Sequence, residues 1–226
     1  MEIDMMKEPD VMVYLMTGFL DSGKTQFLNF TLSQDYFQID GKTLLILCEE
    51  GEEEYDPMEM LKYGVVIETV EDKEDLTEEW LEEMNKKHEP ERVVIEYNGM
   101  WQVSEFEKMK LPAGWAIEQK ITTVDASTFQ MYLTNLKPLF VEMVKGAELV
   151  LFNRCEDKKP LAGYRRSVKV VSPQAEVIFE DENGEINEIS EEDLPYDVNA
   201  PVIEIKPEDY GIWYIDCMDK PDRYLE

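Results

Sequence analysis

The chain has 226 residues, 43% hydrophobic and 11% aromatic, enough to bury one sizeable core and too apolar for a disordered segment. Its formal charge of -29 repels nucleic acid and anionic membrane surfaces, so neither is expected as a partner. No apolar run approaches the ~20 residues that span a bilayer, and Met1 to Pro9 is broken by acids and lacks a signal-peptide core, so a cytoplasmic protein without membrane insertion is expected.

The first strand-like run is Val11 to Met16. It is followed by Gly18-Phe-Leu-Asp-Ser-Gly23-Lys24-Thr25, which completes the phosphate-binding pattern G-x-x-x-x-G-K-[ST]. Glycines let the backbone curl so that successive N–H groups point at phosphate oxygens. Lys24 then reaches the β- and γ-phosphates, and the Thr25 hydroxyl ligates Mg²⁺. From Thr25 to Leu32 apolar residues recur at helical spacing, so the loop opens a helix whose N-terminus favours an anion. Gly18, Asp21, Ser22, Gly23, Lys24, Thr25 and Gln26 are therefore the expected nucleotide-binding residues of this segment.

Further strand-like runs follow at Thr43–Cys48, Val65–Glu68, Arg92–Glu96, Ile121–Asp125, Leu149–Asn153 and Ala175–Phe179. Between them Leu76–Lys87, Thr128–Val144 and Pro160–Val170 have helical spacing. Apolar strands alternating with helices predict an α/β fold, a three-layer P-loop NTPase domain with a mostly parallel sheet and helices on both faces. Beyond Phe179, Asn183-Gly184 predicts a hairpin turn, and Pro201–Ile205 a last strand. These boundaries give a domain over 1–205. Residues 206–226, rich in aromatics, either dock on it as a tail or begin a second domain.

Two strands end in acids, Glu96 and Asp125, either of which could support the metal near the phosphates. Walker-B residues are usually Asp, which favours Asp125; Gly99 after Glu96 could instead offer its N–H to a γ-phosphate. The run ending Asn153-Arg154-Cys155-Glu156 has a guanine-reading pattern. The acid accepts from the ring N–H and amino group while Asn153 braces the loop, an arrangement that favours GTP over ATP.

With these residues the chain resembles the CobW-type GTPases, the group that also contains HypB and UreG. Gly18-Phe-Leu-Asp-Ser-Gly-Lys-Thr-Gln-Phe-Leu-Asn29 is similar to their opening GFLGxGKTTLLN segment. Cys48-Glu49-Glu50-Gly51-Glu52 resembles their N-E-[FY]-G-E, Glu96-Tyr-Asn-Gly99 their E-x-x-G, Val124-Asp125-Ala126 their V-D-A, and Asn153–Glu156 their N-K-x-D. Ser172–Ile178 resembles N-P-x-A-x-I, so the likeness runs from about Val11 to Phe179.

The resemblance implies GTP/GDP and Mg²⁺ as cofactors, Glu96 beside the magnesium, and Glu49 in the first switch region. It implies slow Mg-dependent GTP hydrolysis in a switch for metal or cofactor delivery, with a protein partner. Lys24, Glu96 and Glu49 are the expected catalytic residues, Thr25 and Glu96 the metal-supporting ones; Glu49 and Glu52 are candidates for positioning water. The nucleotide set is completed by Gly99, Asn153, Arg154 and Glu156.

The sequence departs from the pattern in three ways. The family's G-C-x-C-C-T-L falls on Gly64–Val70, which has no cysteine, and Val or Ile cannot ligate Zn²⁺. Cys48, Cys155 and Cys217 form no CxxC pair, in keeping with a reducing compartment, and His88, the only histidine, is expected at the surface. Glu156 replaces the guanine-reading Asp, with Asp157 able to substitute if the loop is one residue longer. The chain also lacks room for the family's further C-terminal domain. The lost cysteines and the altered guanine-reading acid support an alternative to a GTPase, a nucleotide-binding interaction module with little or no turnover; a further alternative, an ATPase, is disfavoured by the Asn153 segment.

Overall fold

The structure is a computed structural model that describes residues 9–51, 53–156 and 160–224. The strands are β1 (Val11–Thr17), β2 (Thr43–Leu47), β3 (Val65–Thr69), β4 (Arg92–Glu96), β5 (Trp115–Asp125), β6 (Leu149–Asn153) and β7 (Glu176–Phe179). The helices are α1 (Lys24–Ser33), α2 (Pro57–Lys62), α3 (Glu78–His88), α4 (Val103–Phe106), α5 (Phe129–Asn135), α6 (Lys137–Val144), α7 (Leu161–Lys169) and α8 (Tyr210–Asp219).

All seven strands are parallel, in the order β3-β2-β4-β1-β5-β6-β7. Parallel strands need crossover helices, which cover both faces and leave the strands apolar throughout. The alternation is visible within β1, β2 and β4. Leu15, Leu44, Ile46, Val93 and Ile95 face one core with residues of α3 to α7; Met16, Leu45 and Val94 face the other with Leu28 and Leu32 of α1 and Met60 of α2. The chain starts in the middle of the sheet and works outward on both sides. This puts a crevice at the carboxyl ends of the strands flanking β1, where such sheets bind ligands.

Three expectations need correction. Thr128–Val144 is two helices, because Pro138 supplies no N–H for continuous helix and instead sits in the first turn of α6. Pro201–Ile205 is not a strand: the sheet ends at β7, and Ile203 and Ile205 pack half-buried against the larger core. β5 begins six residues before Ile121, at Trp115. The polar run Glu118-Gln119-Lys120 hides that start from an apolar count. Lys120 is nonetheless buried, its ammonium donating to Glu107 and to the carbonyls of Glu142 and Lys145.

The Asn183-Gly184 turn forms, with Gly184 at φ 78° and a single antiparallel bridge, Glu180 to Ile186, in place of paired strands. Beyond it α8 lies against α7. Its buried Asp216 accepts from Arg165, Arg223 and the Tyr224 hydroxyl.

Candidate nucleotide site

The loop that leaves β1 is shaped by glycines. Gly18 has φ 146°, and a Cβ there would lie 2.5 Å from both the Ser22 hydroxyl and the Thr123 carbonyl. Gly23 has φ 89°, and its Cβ would lie 2.3 Å from the Asn153 amide. Neither position accepts a side chain. Ser22 and Thr123 hydroxyls bond at 2.8 Å, and the Asn153 Nδ2 donates to the Ser22 carbonyl at 2.8 Å, so the loop is strapped to β5 and β6. Asn153 Oδ1 is buried with no partner among the described residues.

Lys24 opens α1 and is almost fully buried. Its ammonium donates to the carbonyls of Gly18 and Phe19 at 3.1 and 3.0 Å and pairs with the Glu49 carboxylate. No side chain caps α1, and its first turn holds no acid. The free N–H groups at that end therefore suit an anion.

Strand order puts Glu96 beside the loop, since β4 lies between β1 and β2 and Glu96 pairs in register with Met16 and Leu47. Thr25 Oγ1 donates to Glu96 Oε1 at 2.7 Å, and the Tyr55 hydroxyl donates to Oε2 at 2.5 Å. Burial pushes the Glu96 carboxyl above the ordinary range, and the lowering influence of Tyr55, Thr25 and Lys24 does not offset it.

Asp125 faces elsewhere. It accepts from Ser127 N–H and Oγ–H and pairs with Arg154 at 2.7 Å. Burial alone would raise its carboxyl, but these bonds outweigh burial and hold it below the usual value. Of the two strand-terminal acids it is Glu96, not Asp125, that meets Thr25, against the ordinary Walker-B preference for Asp.

The remaining expected residues divide. Glu49 Oε2 accepts from Gly99 N–H at 3.0 Å, and Gly99 is pressed so closely on the loop that a Cβ would lie 2.5 Å from the Gly18 carbonyl. Arg154, at φ 52°, donates to the Asp21 carbonyl at 2.9 Å, and Asp21 itself has φ 57°. Leu20, Asp21, Gly23, Lys24, Thr25, Gln26, Glu49, Gly51, Glu53, Glu96 and Arg154 line one cleft. Glu156 is exposed and does not line it. Glu52 and Asp157 lie outside the described residues.

Sequence reasoning missed Tyr55 and Thr123. Nothing local marks Tyr55, since its role comes from a fold-back that brings the stretch after β2 onto β4. Cys48 and Cys155 are buried, and burial, followed by the charges of Glu96 and Glu49, pushes the Cys48 thiol far up. His88 is largely covered and bonds Glu68 at 2.7 Å. Among the described residues no three His, Cys, Asp or Glu side chains converge as a metal cage. No helix among them is long and apolar enough to cross a membrane.

A parallel sheet with a glycine loop after its central strand, a lysine beneath that loop and a Thr–Glu pair beside it define a P-loop nucleotide-binding domain. The chain belongs to the CobW/HypB/UreG family, whose nucleotide-binding domain it matches over residues 12–179. No curated protein is similar enough in sequence to match the chain. Among solved structures it is similar to the Zn(II)-bound YjiA GTPase from E. coli, with 22% identity and a TM-score of 0.55 over 80% of this chain and 59% of that one. A Zn(II)-bound triple mutant of YjiA gives 22% identity and 0.56 over 81% and 60%. The hydrogenase maturation factor HypB from Archaeoglobus fulgidus gives 17% and 0.52 over 77% and 83%. At these identities the likeness is one of fold, and the chain spans about three fifths of YjiA's length, 59%.

Proposed function

We propose that this protein binds guanine nucleotides and hydrolyses GTP slowly with Mg²⁺, as a switch in metal or cofactor delivery to a protein partner. The observation that carries the reading is the Thr25–Glu96 bond beside the Lys24 ammonium, under a loop fixed by Gly18 and Gly23. The donor set suits magnesium, a hard cation that takes oxygen ligands and is usually held by one or two protein groups plus phosphates. Thr25 would hold it and Glu96 support it; when bound, it neutralises charge on the β- and γ-oxygens.

In this reading the N–H groups at the start of α1 and Lys24 bind the phosphates and stabilise charge that develops on the γ-phosphoryl group. Asn153 holds the loop through the Ser22 carbonyl, and Glu156 reads the base. Asp21, Ser22, Gln26, Gly99 and Arg154 complete the nucleotide contacts.

One observation favours the second reading, a nucleotide-binding interaction module with little turnover. Arg154, the one arginine lining the cleft among the described residues, is committed to Asp125 and the Asp21 carbonyl. No guanidinium is thereby left in the cleft for the transferred phosphoryl group, which argues for slow turnover at best. Calorimetric titration of GTP, GDP and ADP with Mg²⁺, followed by phosphate release, tests both. Guanine nucleotides should bind more tightly than ADP, with slow phosphate release from GTP. Binding without release selects the module, tighter ADP selects the ATPase, and no binding removes the proposal.

A further inference from the structure

Two donors of the nucleotide site, the Lys24 ammonium and the Gly99 N–H, are already taken by one side chain. The Glu49 carboxylate pairs through Oε1 with Lys24 and accepts the Gly99 N–H through Oε2. Its side chain is only 8% exposed and that of Lys24 2%. Gly99 packs so closely on the loop that a Cβ there would lie 2.5 Å from the Gly18 carbonyl and 2.8 Å from the Phe19 Cα, so its N–H is held beside the loop. An anion spanning Lys24 and Gly99 thus has one seat, and Glu49 fills it.

We infer that Glu49 is a resident competitor for the γ-phosphate, and so the residue that sets the balance between triphosphate and diphosphate. The inference rests on the nucleotide reading above. A γ-phosphate and the Glu49 carboxylate are both anions, and two of them against one buried lysine repel strongly where water is scarce. A diphosphate leaves the Lys24–Glu49–Gly99 bridge standing, whereas a triphosphate has to expel Glu49.

The backbone is built for a local expulsion. Cys48 is pinned, its N–H to the Glu96 carbonyl at 2.9 Å and its carbonyl to the Asn98 amide at 3.1 Å. Movement therefore begins at Glu49, with Gly51 two residues on. At the far end Asp56 caps α2 through the N–H groups of Met58 and Glu59, and Tyr55 is bonded to Glu96. Two residues after β2 are thus tied to the site, Glu49 to Lys24 and Tyr55 to Glu96. A triphosphate displaces the first of these directly. Its differential affinity for the expelled arrangement is what shifts the population.

The test compares wild type with Glu49→Gln and Glu49→Asp by calorimetry, using GDP and a non-hydrolysable guanosine triphosphate with Mg²⁺. In Glu49→Gln the anion is gone and Lys24 is left uncompensated, so the ratio of triphosphate to GDP affinity should rise about tenfold. Glu49→Asp keeps the charge but draws it back by one methylene, so its ratio should rise less, in the same direction. GDP binding also reports that each variant is folded. If Glu49→Gln loses GDP binding, the rise in Glu49→Asp alone decides. An unchanged or lowered triphosphate-to-diphosphate ratio in the variants that bind GDP overturns the inference and leaves the nucleotide reading intact. No GDP binding by the wild type overturns that reading, and this inference with it.

Discussion

The Tyr55 hydroxyl donates a hydrogen bond to Glu96 at 2.5 Å, which ties Tyr55 to the acid at the end of β4. The phenol is itself buried, and burial and then the Glu96 charge push its ionisation far above the ordinary range, so at neutral pH it is always the donor. Tyr55→Phe removes that donor and leaves a buried carboxylate oxygen unsatisfied. A hydrogen bond to a charged group is worth about 1.5–3 kcal/mol, and the variant should lose roughly that much. Urea unfolding of the nucleotide-free protein checks this; an unchanged midpoint would mean that Tyr55 does not contact Glu96.

Glu96 should itself be a destabilising residue at neutral pH. Its folded-state carboxyl is held above the ordinary value by burial. Between the unfolded and folded values the folded protein binds more protons, so stability falls as pH rises through that window and stays reduced above it. Glu96→Gln removes the charge. The variant should be more stable than wild type at neutral pH, with the difference shrinking toward about pH 4, near the unfolded value. It should also lose the tightening of nucleotide binding by Mg²⁺. Unfolding curves over this pH range, with magnesium titrations of bound nucleotide, would expose either half as wrong.

What the sequence made legible follows from which forces are local. Strands β2, β4 and β6 are uninterrupted apolar runs because a sheet covered on both faces demands them, and they fall where periodicity puts them. The glycine loop is equally local: Gly18 and Gly23 answer to backbone geometry within a few residues. The start of β5 was hidden because Lys120 is neutralised by Glu107 and by carbonyls of α6 and the residue after it, partners more than ten residues away. Pro201–Ile205 carries strand-like residues, but a strand also needs a neighbour, and β7 closes the sheet without it. Lys24, Thr25 and Glu96 could be named from motif chemistry and resemblance. That Glu49 bridges Lys24 and Gly99 could not, since it depends on how the chain returns over the loop after β2.

The base-reading loop separates two kinds of residue. Asn153 holds the phosphate loop through the Ser22 carbonyl, whereas Glu156 is exposed and does not line the cleft. Asn153→Ala should therefore weaken GDP and ADP alike, by about tenfold or ~1.4 kcal/mol, because it unstraps the loop and opens space beside Gly23. Glu156→Ala should instead narrow the GDP-to-ADP gap with little change in ADP affinity. Competition titrations with both diphosphates distinguish them. If Glu156→Ala leaves the gap intact, base reading belongs to another residue, with Asp157 the first to try.

The C-terminal segment should depend on one buried acid. Asp216 of α8 is 1% exposed and accepts from Arg165, Arg223 and Tyr224. Burial alone would raise its carboxyl, but Tyr224, Arg223 and Arg165 outweigh burial and hold it below the ordinary value. A depressed folded value contributes stability that is present above the unfolded pKa and is lost as pH falls through the folded one. Attachment of α8 to α7 should therefore weaken on acidification below about pH 4. Asp216→Ala abolishes the acceptor at every pH and leaves Arg165 and Arg223 without it. Breaking a buried pair by removing one partner costs about 3–5 kcal/mol, and here the cost should fall on α8 first. Hydrogen exchange resolved along the chain tests this: amides of α8 should lose protection before those of β1 and β4. Equal protection in wild type and variant would mean that the apolar contacts of Ile212, Trp213 and Ile215 hold α8 without the charge network.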